Sequence, residues 1–184
     1  MVAADATTVA FVKTTSFRTK RLFLALWPDE GVRKQLTDHA AQWVWPGPCM
    51  PYAAPDWHLT LQFIGNVALD KVDAMMSAAA VPFEPFELVL DQPRLWPHGL
   101  AVLCASKVPA PLMRLHERLG QALSEFDFVP DARPYLPHVT LARHAGASVL
   151  PRECIPVSWR PRGFAMVVST GVQTSRYQLL RQYR

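Results

Sequence analysis

One four-residue pattern occurs twice in this chain and restricts its fold more than any other feature. His58-Leu59-Thr60-Leu61 returns as His138-Val139-Thr140-Leu141. In an extended strand successive side chains point to opposite faces. Each copy therefore splits cleanly: an imidazole and a hydroxyl go one way, and two aliphatic side chains go the other. Each copy also follows a proline-containing loop and opens a run of strand-forming residues. Six histidines and ten threonines stand among 184 residues. Random placement gives two such matches with apolar second and fourth positions at a probability of order 0.003. The pattern demands two half-buried strands whose polar faces are spared from the core.

The rest of the chain supplies the elements around them. Residues 21–27 (RLFLALW) read as a buried strand. Asp29 is placed to cap a helix over residues 30–44, with Val32, Leu36, Ala40 and Trp43 at helical spacing. Residues 45–55 hold four prolines and a glycine and read as a loop. The first motif strand runs over residues 57–64 and is expected to close at Gly65-Asn66. Residues 68–80 and 109–126 read as helices, the second with Leu112, Leu115, Leu119 and Leu123 on one face. Residues 86–90, 100–106, 136–143, 164–169 and 177–182 read as strands, and residues 93–99 as a turn. The fold class is α+β or α/β, with antiparallel pairing expected toward the C-terminus. Residues 1–20 read as a flexible leader, and residues 21–184 as one domain.

Two imidazoles and two hydroxyls on facing strands suit cleavage of a phosphodiester. The attacking oxygen must lose a proton and the leaving oxygen must gain one. Histidine titrates near neutrality, so one neutral ring can act as base while a protonated one acts as acid. Thr60 and Thr140 can donate hydrogen bonds to the non-bridging phosphate oxygens. The chain lacks the C-x-x-C, H-x-x-x-H and H-E-x-x-H spacings of metal sites, so no metal is expected. It also lacks the G-x-S-x-G, G-x-G-x-x-G and Walker-type glycine patterns, so no nucleotide cofactor is expected.

The net charge of +4 leans toward anionic partners without the dense basic runs of a nucleic-acid coat. Cys49, Cys104 and Cys154 are odd in number and far apart, which points to a reducing cytoplasm. No stretch is apolar enough for a membrane span.

HLTLQFIG and HVTLAR resemble the paired motifs of the two-histidine (2H) phosphoesterases, and in particular of the bacterial and archaeal RNA 2′,3′-cyclic phosphodiesterases, historically called 2′-5′ RNA ligases. RLFLALWPDEGVRKQL resembles that family's opening strand and helix, and FAMVVSTGVQTSRYQLL its closing strands. The resemblance implies a bilobal, pseudo-duplicated α+β fold with antiparallel sheets around a central cleft and helices outside. It implies metal-independent hydrolysis of RNA or nucleotide 2′,3′-cyclic phosphates to 2′-phosphomonoesters, with no cofactor. It makes His58 the proton donor and His138 the proton acceptor, roles on which the sequence itself is symmetric. It also draws attention to Arg143, whose counterpart in the family lies near the substrate; Phe23 and Gln62 are further candidate substrate contacts by their own chemistry and parity. By strand parity Arg143 opposes His138 and must reach round the strand end, whereas Gln62 shares the parity of His58. Phe23 can stack a base or pack in the core. Ligation of a cyclic phosphate to a 5′-hydroxyl, and a non-catalytic RNA-binding module, are the competing readings. A monomer suffices for this site.

Overall fold

The computed structural model describes residues 18–184. The leader expected over residues 1–20 lies outside them except at its end, where Thr19 and Lys20 already belong to the first strand. In chain order the elements are β1 (Thr19–Leu26), α1 (Glu30–Ala40), β2 (Met50–Pro51), β3 (Leu59–Ala68), α2 (Val72–Ala78), β4 (Leu88–Leu90), β5 (Gln92–Trp96), β6 (Leu100–Cys104), α3 (Ala110–Leu123), β7 (His138–Arg143), β8 (Val157–Trp159), β9 (Phe164–Ser169) and β10 (Tyr177–Tyr183).

The strands form one antiparallel sheet in the order β10-β9-β1-β3-β7-β6-β5, with β2 added on β7 and a separate β4-β8 pair. Two half-sheets are visible in this order. One is built on β1 and β3, the other on β6 and β7, and they join through the pair Leu59 and Val139. The aliphatic positions of the two motifs, Leu59, Leu61, Val139 and Leu141, are at most 2% exposed. They share one core with Leu22, Leu24 and Leu26 of β1 and with the buried faces of all three helices. Burying each such side chain contributes about 1.5–3 kcal/mol, so both strands are anchored by the face that carries no chemistry. The opposite face carries a second, smaller cluster: Phe23 and Ala25 of β1, Ala165 and Val167 of β9, with Trp27, Tyr177 and Leu179 against them.

Several expected boundaries shift for local reasons. Asp29 caps α1 as expected, its Oδ1 accepting from Val32 N at 2.9 Å. The helix ends at Ala40 rather than residue 44, because Gln42 and Trp43 donate to the carbonyls three residues back and Val44 bridges to Val149. The expected turn at residues 93–99 is in part a strand: β5 lies at the sheet edge, where Pro93 needs no partner for a missing N–H. The first motif strand does not close at Gly65 but runs on to Ala68. β2 and β8, two and three residues long, are too short to show a period in sequence.

Candidate active site

The two motif histidines are held alike. His58 Nδ1 lies 2.7 Å from the carbonyl oxygen of Asp56, and His138 Nδ1 lies 2.7 Å from that of Leu136. A carbonyl can only accept, so each Nδ1 carries a hydrogen. Each Nε2 is then the nitrogen that loses or gains a proton. The same backbone device, reaching two residues upstream, sets the tautomer in both copies.

The surroundings differ. His58 sits in an aromatic cage: its ring stacks on Trp27 (centroids 5.4 Å, 3° between planes), and Phe23 and Tyr177 each lie 4.9 Å away. Burial in this cage pushes its pKa down to about 4; the Asp56 carbonyl opposes that shift, and the charge of nearby His138 adds to it. His138 packs on Trp96 at 4.4 Å. Its pKa is also lowered by burial, against the Leu136 carbonyl that raises it. Each ring thus disfavours its own charge, and an anion beside it favours that charge.

His58, Thr60 and Thr140 line a cavity of about 320 Å³ together with Phe63, Tyr52 and Arg143. His138 is not part of that lining. It flanks the same strand junction, where the Leu59–Val139 register sets Thr140 across from His58 and Thr60 across from His138.

A bulge decides where the next residues point. Thr60 pairs with Ala25 and Gln62 with Leu24, so Leu61 is an extra residue in β3. Two consecutive residues then face the core, and parity flips beyond them. Gln62, expected in the cleft, is 4% exposed and donates from Nε2 to the His116 carbonyl at 2.8 Å, behind the sheet. Phe63 takes its place on the cleft side, 53% exposed, with the Arg21 guanidinium 5.0 Å from its ring centroid. The second copy repeats the device. Thr140 pairs with Val102 and Ala142 with Ala101, leaving Leu141 extra. Arg143 therefore arrives on the cleft side directly and has no need to reach round the strand end. Its Nε donates to the Tyr52 hydroxyl at 2.6 Å.

Phe23 takes the second of its two expected roles, packing, while still lining the same cavity. It is 4% exposed and packs edge-on against Tyr177 and beside His58, so it shapes the histidine cage rather than presenting a free face.

Several site residues carried weak signals or none. Trp27 shares strand parity with Phe23, which alternation alone could have found. Tyr52 sits in a proline-rich loop, and Arg176 ends a short turn before β10; neither belongs to a pattern. Arg176 lies 4.9 Å over the Tyr52 ring, and its Nε is 3.6 Å from the Asp56 carboxylate. Among the described residues no three His, Cys, Asp or Glu side chains converge as metal ligands, and no helix is long and apolar enough to cross a membrane.

A doubled strand motif, tautomer-locked imidazoles and paired hydroxyls at one cleft define a two-histidine phosphoesterase. The chain belongs to the 2′-5′ RNA ligase superfamily, whose family profile matches residues 49–166. It is 32% identical over 132 residues to the RNA 2′,3′-cyclic phosphodiesterase of Escherichia coli K12, covering 71% of this chain and 75% of that protein. The fold superposes on E. coli LigT complexed with 3′-AMP with a TM-score of 0.80 at 27% identity, over 90% of this chain and 98% of the other. TT0787 of Thermus thermophilus superposes with a TM-score of 0.72 at 25% identity, over 89% and 96%.

Proposed function

We propose that this protein hydrolyses the 2′,3′-cyclic phosphodiester of RNA ends or nucleotides to a 2′-phosphomonoester, with His58 and His138 as acid and base. The matched Nδ1 anchors carry this reading, because they leave one exchangeable nitrogen on each ring for the substrate. In the reaction His138 Nε2 takes a proton from water as its oxygen attacks phosphorus. The P–O3′ bond breaks, and His58 Nε2–H delivers a proton to the departing O3′. Thr60 and Thr140 donate to the non-bridging oxygens, where negative charge builds, and the Arg143 guanidinium adds a fixed positive charge beside them. The substrate phosphate supplies the charge that raises His58 from its depressed value and lets it act as acid. No metal enters this scheme, no cofactor is needed, and one copy of the chain carries the whole site. The three free cysteines suit a reducing cytoplasm.

The test is turnover of adenosine 2′,3′-cyclic phosphate in the presence of chelator, followed by ³¹P NMR. The expected product is the 2′-monophosphate, lost in His58→Ala and His138→Ala. Turnover unchanged by either substitution would reject the assignment. Joined RNA rather than a monoester, on adding a 5′-hydroxyl strand, would favour the ligase direction.

A further inference from the structure

The cavity lined by His58, Thr60 and Thr140 does not stand alone. It continues into a second hollow of about 310 Å³, and the two share Tyr52, Arg143, Ser169 and Tyr177. The second hollow adds Met50, Val172 and Arg176 to those walls. Resting on the hydrolase reading above, we propose that this annex binds the nucleotide on the 5′ side of an RNA end whose cyclic phosphate lies between the histidines.

Three observations support it. The first is direction. The histidine rings are closed off by Trp27, Phe23 and Tyr177 around His58 and by Trp96 beside His138. The shared lining runs instead past Tyr52 and Arg143, so a strand leaving the cleft along it enters the annex.

The second is charge. Arg143 is anchored by a hydrogen bond from Nε to the Tyr52 hydroxyl, and Arg176 lies over the Tyr52 ring with its Nε in a 3.6 Å ion pair with Asp56. Among the described residues the terminal nitrogens of both forks have no hydrogen-bond partner. Two guanidinium groups fixed by their inner nitrogens present their outer ones, which is the geometry that grips a phosphodiester. Asp56 is the opposing charge here, and its side chain is only 19% exposed.

The third is the apolar surface. Met50 is 45% exposed and Val172 53% exposed, and leaving that apolar surface in water is a cost at a hollow otherwise lined largely by polar groups. An unstacked base recovers that cost by covering them, as bases do on apolar and aromatic side chains in single-strand sites. The thioether of Met50 is well suited to the face of an aromatic ring.

The experiment compares a 2′,3′-cyclic mononucleotide with an RNA trinucleotide ending in the same cyclic phosphate, using wild type and a Met50→Ser, Val172→Ser double variant, which removes the apolar surface without adding charge. Neither residue lines the cavity of His58, Thr60 and Thr140. Wild type is expected to favour the trinucleotide in kcat/KM by tenfold or more. The variant should lose most of that preference while its mononucleotide turnover stays within twofold. Equal kcat/KM for the two substrates in wild type, or an unchanged preference in the variant, overturns the annex. Fluorescence anisotropy of the labelled trinucleotide reads the same surface without turnover. A Kd raised tenfold in the variant supports the annex, and an unchanged Kd overturns it. Binding that responds in this way while no wild-type turnover of either substrate occurs would reject the hydrolase and leave the annex standing.

Discussion

Leu59 and Val139 face each other as the register pair that joins β3 to β7. Counting outward along antiparallel strands, each motif's histidine then lies across from the other motif's threonine. The pseudo-twofold relation between the copies therefore passes through a buried aliphatic pair. It delivers a crossed arrangement of two bases and two donors on the polar side.

This crossing makes the threonines equivalent in kind. Thr60→Val and Thr140→Val keep shape and β-propensity but remove the hydroxyl. Each is expected to lower kcat about 10²-fold, the cost of one donor to a developing oxyanion. Thr→Ser at either site should recover most of the activity. Steady-state kinetics on a cyclic nucleotide, with circular dichroism to verify folding, checks this; a threonine whose loss changes only KM is not a donor to the transition state.

The cage around His58 predicts the pH profile. Burial lowers both histidines below the ordinary 6.5, His58 to about 4. In the free enzyme the single proton that the pair needs is therefore lost at a pH below 6.5. The alkaline limb of kcat/KM should fall there, and it belongs to the pair rather than to either ring. The alkaline limb of kcat should lie higher, because the bound phosphate favours the imidazolium. Coincident limbs in the two profiles would mean that the anion does not lie beside the histidines.

His116 controls the first bulge from behind. Its Nδ1 is 2.7 Å from the Leu61 carbonyl, the group left over by the extra residue, and its ring stacks on Tyr135 at 3.9 Å. The Tyr135 hydroxyl donates to the Thr60 carbonyl at 3.0 Å. His116→Leu leaves a buried carbonyl unpaired and is expected to cost about 1–3 kcal/mol in urea unfolding. It should also depress kcat, since Thr60 is the neighbour of the released residue. Full stability in this variant would show that the β3 bulge is fixed by the sheet alone.

The sequence makes the paired strands and their polar faces readable because alternation is a local property. Leu59, Leu61, Val139 and Leu141 lie on the core side where the period of two puts them. The period fails one step later, at Gln62 and Ala142, and Arg143 changes side with it, because a bulge adds a residue without any signature in composition. The carbonyl it frees is satisfied by groups distant in sequence: His116 for Leu61, and Tyr52 N for Leu141 at 2.8 Å. No local pattern announces such a partner. The same holds for Trp96 and Arg176, which reach the site only through the order of strands in the sheet.

Acid stability gives a test of the His58 cage that needs no substrate. The unfolded chain protonates this histidine below about pH 6.5, whereas the folded protein resists until about pH 4. The unfolded state then holds more protons across that window, so stability is complete above pH 6.5 and falls as the pH drops toward 4. His58→Phe fills the same aromatic surroundings and cannot titrate. The gap in unfolding free energy between variant and wild type should shift by about 2–3 kcal/mol in favour of the variant between pH 7 and pH 4.5. His39 titrates in both proteins and cancels in this difference, whereas His138 is coupled to His58, so the shift is a property of the pair. Inorganic phosphate should shrink the shift, because an anion in the cleft lets folded wild type accept the proton. A gap independent of pH would place His58 in water rather than among Trp27, Phe23 and Tyr177.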